Sequence, residues 1–223
     1  MSIRIRTISN KSVNCYLLNQ EDRFFLIDTG FSDKFEEIEN ELRIAGVDKN
    51  NLELIILTHG DTDHSGNSSI LRDKFGAKIL MHQADSGIVK TGDMKVNRKE
   101  KPDKLSLIFK IFTIFGKEAP FEAFQPDILV SGDDSLKQYR LDANLLHIPG
   151  HSKGSIAILT KENDLFCGDL MINITKPKLH YLIDNMELTK ESINKLRNEE
   201  IDNVYPGHGK PFKMTEFLEK YED

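Results

Sequence analysis

The stretch Thr58-His59-Gly60-Asp61-Thr62-Asp63-His64-Ser65-Gly66 follows without a break on the apolar run 52–57. The run has the length of a buried strand, and the glycines and small polar residues after it are those of a loop. Four groups able to bind a metal, His59, Asp61, Asp63 and His64, fall within six residues. A loop this short cannot aim all four at one ion. It can divide them between two neighbouring ions, His59 with Asp61 on one side and Asp63 with His64 on the other. Ions about 3.5–4 Å apart hold a bridging hydroxide, a nucleophile available at neutral pH, and clamp the charge that develops on a substrate. Each pair then needs a third protein ligand from elsewhere in the chain.

Seven histidines are available. Two more of them sit in loop-like stretches shortly after apolar runs: His151 in Pro149-Gly150-His151-Ser152-Lys153-Gly154-Ser155, and His208 in Tyr205-Pro206-Gly207-His208-Gly209-Lys210-Pro211. Ligands of one ion must converge from several directions in fixed orientation, and a rigid strand feeding a loop delivers them that way. His151 and His208 are therefore candidates for the missing ligands. Asp169, in Phe166-Cys167-Gly168-Asp169-Leu170, is a candidate for a carboxylate shared by both ions. By themselves His82, His147 and His180 read as ordinary hydrogen-bonding residues.

On the N-terminal side of the motif, alternation over 2–8 and apolar runs at 13–18 and 23–28 predict three strands. Ser32 is placed to cap a helix whose apolar positions Phe35, Ile38, Leu42 and Ala45 recur at spacings of 3, 4 and 3 before Gly46. After the motif come a helix over 67–75 and a strand over 77–81. This β-α-β-α-β order predicts helices packed on a sheet. Further strands are expected at 128–130, 136–139, 144–148, 155–160, 164–167 and 203–205, with helices at 189–197 and 213–221. The expected organisation is a single domain over 1–223 with a helical insertion at about 83–126. That insertion joins a charged stretch, 90–104, to an apolar segment, 105–115. It reads either as a solvated linker with one core helix or as a lid walled by Phe109, Phe112, Phe115, Phe121 and Phe124.

Composition narrows the classes. The chain has 223 residues and a formal net charge of −6, from 30 Lys and Arg against 36 Asp and Glu. An acidic balance argues against binding nucleic acid through net charge, so no such partner is expected. No apolar run approaches the ~20 residues that span a bilayer, so no membrane partner is expected either. No apolar signal segment follows Arg4 and Arg6, and a cytoplasmic location is expected. Cys15 and Cys167, both in apolar strand-like contexts, read as buried free thiols rather than a disulfide framework. The composition leaves the oligomeric state open.

Together, Asp28-Thr29-Gly30, His59-x-Asp61-x-Asp63-His64, His151, Asp169 and His208 resemble, in order and interval, the metallo-β-lactamase-fold superfamily, in its glyoxalase II-like and lactonase-like branch. The resemblance implies an α/β chain folded as an αββα sandwich: two mixed β-sheets face to face, helices outside, and a metal site at one edge between the sheets. It implies His59, Asp61 and His151 around one ion, Asp63, His64 and His208 around a second, Asp169 bridging them, and Asp28 beneath as a support. One position departs from the pattern, since Asp61 stands where the family motif has His. A carboxylate there adds negative charge and a harder ligand, which moves preference from zinc toward iron or manganese. The implied cofactors are two divalent ions, zinc foremost, with iron or manganese admitted by Asp61.

The implied activity is hydrolysis of a small-molecule ester, thioester or lactone. A metal-bridging hydroxide attacks the carbonyl, and Asp63, the expected catalytic residue, orients it and accepts its proton. In related thioesterases and lactonases the loop after the bridging Asp contacts substrate, and here that loop offers Lys178, His180 and Tyr181. Ile172 stands where similar lactonases often carry Tyr, which weighs against a lactone. Two other readings use the same residues: a phosphodiesterase or nuclease-like hydrolase, which the acidic chain disfavours, and a non-catalytic or redox iron-binding protein tuned by Asp61.

Overall fold

The computed structural model describes residues 2–10, 12–96, 98–105 and 122–221. Among these residues the strands form two large sheets and a two-stranded ribbon. The first sheet runs in the order β1 (Arg4–Asn10), β2 (Val13–Gln20), β3 (Arg23–Ile27), β4 (Leu52–Ile56), β5 (Lys78–His82) and β7 (Ile128–Val130). Its first three strands are antiparallel hairpins, and β3, β4, β5 and β7 are parallel. The second sheet runs β15 (Phe212–Lys213), β14 (Asn203–Gly209), β11 (Asp164–Asn173), β10 (Ile156–Thr160), β9 (Ala143–His147) and β8 (Asp134–Ser135), with β12 (Lys178–Leu179) added on β11. It is antiparallel except for the β11–β14 pair. The ribbon joins β6 (Lys104–Leu105) to β13 (Leu182–Ile183).

Alternation along the strands decides the layering. In β2, Tyr16 and Leu18 point one way and Cys15 and Leu17 the other; in β3, Phe25 and Ile27 oppose Phe24 and Leu26. Tyr16, Leu18, Phe25, Ile27, Leu54, Ile56 and Leu80 share one buried cluster with Leu145, Ile156, Ile158 and Phe166 of the second sheet, so the sheets pack face to face. The opposite face of the first sheet packs on α1 (Phe35–Ile44) and α3 (Ser68–Phe75) through Ile38, Leu42, Leu71 and Phe75. That of the second packs on α5 (Met186–Leu196) and α6 (Met214–Leu218) through Ile193, Leu196, Met214 and Phe217. Fully burying one such side chain contributes about 1.5–3 kcal/mol. The layers are helix, sheet, sheet, helix: the αββα sandwich.

Several local expectations are corrected. Residues 136–139, read as a strand, form a 3-10 turn, because the Ser135 side chain accepts the Lys137 N–H and Arg140 closes the turn at φ +67. Ser32 opens a 3-10 turn, and α1 begins only after it. The strands expected at 164–167 and 203–205 run on to Asn173 and Gly209. A register shift against β14 accompanies Gly168, which sits at φ +49. There a Cβ would lie 2.6 Å from Thr58 Oγ1, so only glycine fits. This bulge breaks the alternation: Cys167 stays in the outer core and Asp169 turns away from it. Of the proposed insertion, residues 86–91 form the short helix α4 (Ser86–Thr91). Residues 106–121, with Phe109, Phe112, Phe115 and Phe121, lie outside the described residues. Phe124, expected on a lid wall, is instead buried in the core of the first sheet. Among the described residues no helix is long and apolar enough to cross a membrane.

Candidate metal centre

The strands deliver their polar residues to one place. Asp28 ends β3, and the 57–66 loop with the one-turn helix α2 (Thr62–Ser65) follows β4. His151 lies between β9 and β10, Asp169 lies in β11, and His208 lies within β14 rather than in a loop. His180 stands between β12 and β13.

Each imidazole is held by Nδ1 and presents Nε2. His151 Nδ1 donates to the Leu182 carbonyl at 2.9 Å, and His208 Nδ1 to the Ser12 carbonyl at 2.7 Å. A carbonyl only accepts, so Nδ1 carries a proton, and in the neutral ring Nε2 carries the lone pair that a metal would take. His64 Nδ1 donates to Asp28 Oδ2 at 2.8 Å. The Thr58 hydroxyl donates to the same oxygen at 2.8 Å, which leaves Thr58 Oγ1 to accept from His59 Nδ1 at 3.0 Å. Asp28 Oδ1 also accepts the Thr58 N–H. One buried carboxylate thereby orients two imidazoles, the arrangement by which outer groups fix metal-binding histidines.

The inward atoms form overlapping sets. His59, Asp61 and His151 make one triad and Asp63, His64 and His208 another, each with ligand atoms within 4.8 Å of one another. Asp169 joins both: Oδ1 is 3.4 Å from His64 Nε2, and Oδ2 is 3.4 Å from His208 Nε2, 3.8 Å from His151 Nε2 and 4.0 Å from His59 Nε2. Among the described residues, His59 Nε2, His64 Nε2 and Asp169 Oδ1 are buried without a hydrogen-bond partner. Three such atoms facing one another are costly unless a cation satisfies them, and nitrogen and carboxylate oxygen are what zinc and iron take. The residues fit a dinuclear metal site.

The electrostatics agree. Burial disfavours a charged His64, but the carboxylates of Asp169, Asp63 and Asp28 outweigh it and push this imidazole well above the ordinary range. Burial is likewise overcome at His208, chiefly by Asp169, which raises it to about 10. The carboxyl of Asp61 is held well below the usual range, burial being outweighed by Arg98 and His59; that of Asp169 is lowered by His180, His208 and His64 in the same way. The centre favours positive charge at its heart.

Every residue expected to bind metal is therefore in the cluster, and Asp28 lies against it. Two others were not anticipated there. His180, expected as an ordinary residue or a substrate contact, has its Nε2 3.4 Å from Asp169 Oδ2 and forms a third set with His151 and Asp169. Burial first, then His151 and His208, press it down to about 3 against the pull of Asp169, so it stays neutral. Arg98, in a stretch read as solvated, points inward: Nη2 donates to Asp61 Oδ1 and Nη1 to the His151 carbonyl. Lys178 and Tyr181 pair with each other, the ammonium 4.3 Å from the ring centroid. His82 and His147 stack at 4.0 Å in a separate pair.

A family model described as the metallo-beta-lactamase superfamily matches residues 9–208. The chain is 25% identical over 216 residues to the probable metallo-hydrolase YflN of Bacillus subtilis, covering 90% of this chain and 81% of that one. It is 27% identical over 176 residues to the hydroxyacylglutathione hydrolase GloC of Haemophilus influenzae, covering 77% and 72%. Two other relatives extend well beyond it, the chain spanning 59% and 61% of their lengths. Among solved structures, TTHA1623 in a di-iron-bound form shares the fold, with a TM-score of 0.71 at 20% identity over 97% of each chain. Matched by one family model over residues 9–208 and folded as the αββα sandwich, the chain belongs to the metallo-beta-lactamase superfamily.

Proposed function

We propose that this chain is a hydrolase that holds two divalent ions and cleaves a small ester, thioester or lactone, with a thioester foremost. The observation that carries this reading is Asp169, a single carboxylate facing both triads while the surrounding Nε2 atoms point inward. Ions held there supply a water ionised near neutral pH and a Lewis acid for the substrate carbonyl. His59, Asp61 and His151 would hold one ion and Asp63, His64 and His208 the other, with Asp169 facing both sets. The Asp63 side chain is 24% exposed, against 13% or less for His208, Asp169 and His64. It is the carboxylate with access to incoming water, and it orients the nucleophile and accepts its proton. His180, neutral and directed at Asp169, fixes that carboxylate between the triads.

Likeness to a hydroxyacylglutathione hydrolase supports a thioester substrate. Lys178 and Tyr181, flanking His180 in the chain, are proposed to bind the substrate, the ammonium meeting an anionic group and the ring an apolar one. Zinc suits the imidazole-rich set; Asp61 and likeness to a di-iron protein support iron as the alternative. Two free buried thiols suit a reducing compartment, and the proposed location is the cytoplasm.

The test is turnover of hydroxyacyl-glutathione thioesters, small esters, lactones and phosphodiesters by protein loaded with zinc or iron. Thioester hydrolysis abolished by a chelator and by His151→Ala is the expected result. Full metal occupancy with no turnover of thioester, ester or lactone would overturn the proposal.

A further inference from the structure

Asp61 puts a charged group where the family pattern has an imidazole, and a carboxylate removed from water needs a partner. That partner comes from 37 positions along the chain: Arg98 Nη2 donates to Asp61 Oδ1 while Nη1 donates to the His151 carbonyl. The pair is nearly enclosed, with side-chain exposures of 11% and 9%. The two carboxylate oxygens are thereby divided between tasks. Oδ1 belongs to the guanidinium. Oδ2 faces the imidazoles, 3.2 Å from His151 Nε2 and 3.6 Å from His59 Nε2.

Two consequences follow from this division. The planar fork of Arg98, anchored on the residue 151 backbone, fixes the rotation of the carboxylate and so aims Oδ2. Its charge also cancels that of Asp61, so the pair presents one lone-pair oxygen with no net charge, as a neutral imidazole presents one nitrogen. We propose that Arg98 is a positioning residue that makes Asp61 a charge-compensated, histidine-like ligand of the first ion. The inference rests on the dinuclear metal reading above and assigns within it the residue that permits the altered motif.

It gives Arg98 a contribution whose sign depends on position 61. Beside Asp61 the guanidinium orients and neutralises. Beside an imidazole it would be a cation next to a divalent ion, with its hydrogen-bonded carboxylate gone and only the fields of Asp85 and Asp184 to offset it. The test compares the full-length chain with Arg98→Leu, Asp61→His, the double variant and Arg98→Lys. Zinc affinity is read by competition with a chromophoric chelator. The visible bands of the cobalt-loaded protein report coordination at the first site, and melting of the chelated proteins checks folding.

Arg98→Leu alone is expected to weaken the first site ~10–100-fold, the usual cost of losing an outer-shell partner. Asp61→His alone is also expected to weaken it. Adding Arg98→Leu to Asp61→His is expected to recover at least ~10-fold. Arg98→Lys keeps the charge without the fork, and a several-fold loss is expected. If Arg98 were only a strut for its own segment, Arg98→Leu would weaken both backgrounds equally, and that result overturns the proposal. Unchanged affinity in Arg98→Lys overturns it too, should Arg98→Leu fail to fold. A wild-type chain that binds no zinc or cobalt would instead overturn the metal reading, and this inference with it.

Discussion

Asp28→Asn is the substitution that tests most deeply how the centre is built. The native carboxylate accepts three hydrogen bonds: Thr58 N–H on Oδ1, and the Thr58 hydroxyl and His64 Nδ1 on Oδ2, all at 2.8 Å. Asparagine keeps the volume and tolerates the left-handed backbone at φ +59, but one of its two atoms is a donor. If the amide oxygen keeps the Thr58 N–H, the NH2 group faces the hydroxyl and His64. His64 must then give up its Nδ1 proton and carry one on Nε2, the atom aimed into the cluster. The Thr58 hydroxyl must turn as well, which frees its claim on His59. A change of one atom therefore reaches two ligands. At about 1.5–3 kcal/mol for each hydrogen bond to a charged group, with partial rewiring, the chelated protein loses about 2–4 kcal/mol. With a urea slope of about 2 kcal/mol/M, that is a midpoint shift of about 1–2 M. Metal affinity falls about 10–100-fold. Urea unfolding of the chelated protein and chelator competition measure the two effects. An unchanged midpoint together with affinity within about twofold of wild type would refute the role assigned to Asp28.

Other outcomes follow from the same geometry. Gly207→Ala places a Cβ 2.5 Å from Asp169 Oδ1 and 2.7 Å from His64 Cε1, so Asp169 must move; loss of one bound ion and about 1–3 kcal/mol of stability are expected by elemental analysis and unfolding. Burial, with Asp28 and Asp63 nearby, pushes the Cys15 thiol well above its ordinary range, and Cys167 is also buried; a thiol reagent at pH 8 is expected to label neither in the folded chain and both in denaturant. Removing metal held at 100 times its dissociation constant costs about 2.7 kcal/mol for each site and about 5 kcal/mol for both, so a chelator is expected to lower the melting temperature by about 10–20 °C, and an unchanged melt would contradict a structural contribution from the ions.

Most of the centre was legible because its ligands stand beside strong local signals. The apolar runs of β2, β3 and β4 and the glycines around His151 and His208 can all be read within a few residues. What escaped depends on distance in the chain. Arg98 lies among Lys95, Lys99, Glu100 and Lys101, and nothing local separates it from a solvated side chain; its partner, Asp61, is 37 residues away. His180 enters the cluster because β12 pairs back along β11, Leu179 opposite Met171 and Lys178 opposite Ile172, a pairing too short to carry a pattern. The bulge at Gly168 separates Cys167 from Asp169, which plain alternation would place on one face. The 3-10 turn at Leu136–Tyr139 has a strand-like composition, but the Ser135 cap decides it.

The most direct test is metal stoichiometry: elemental analysis of the wild-type chain and of His151→Ala and His208→Ala after loading with zinc or iron and removal of free metal. Two ions in the wild type and one in each variant is the result expected of two triads joined through Asp169. A wild-type chain that retains no ion, or variants that retain as many as the wild type, would contradict a dinuclear centre at these residues.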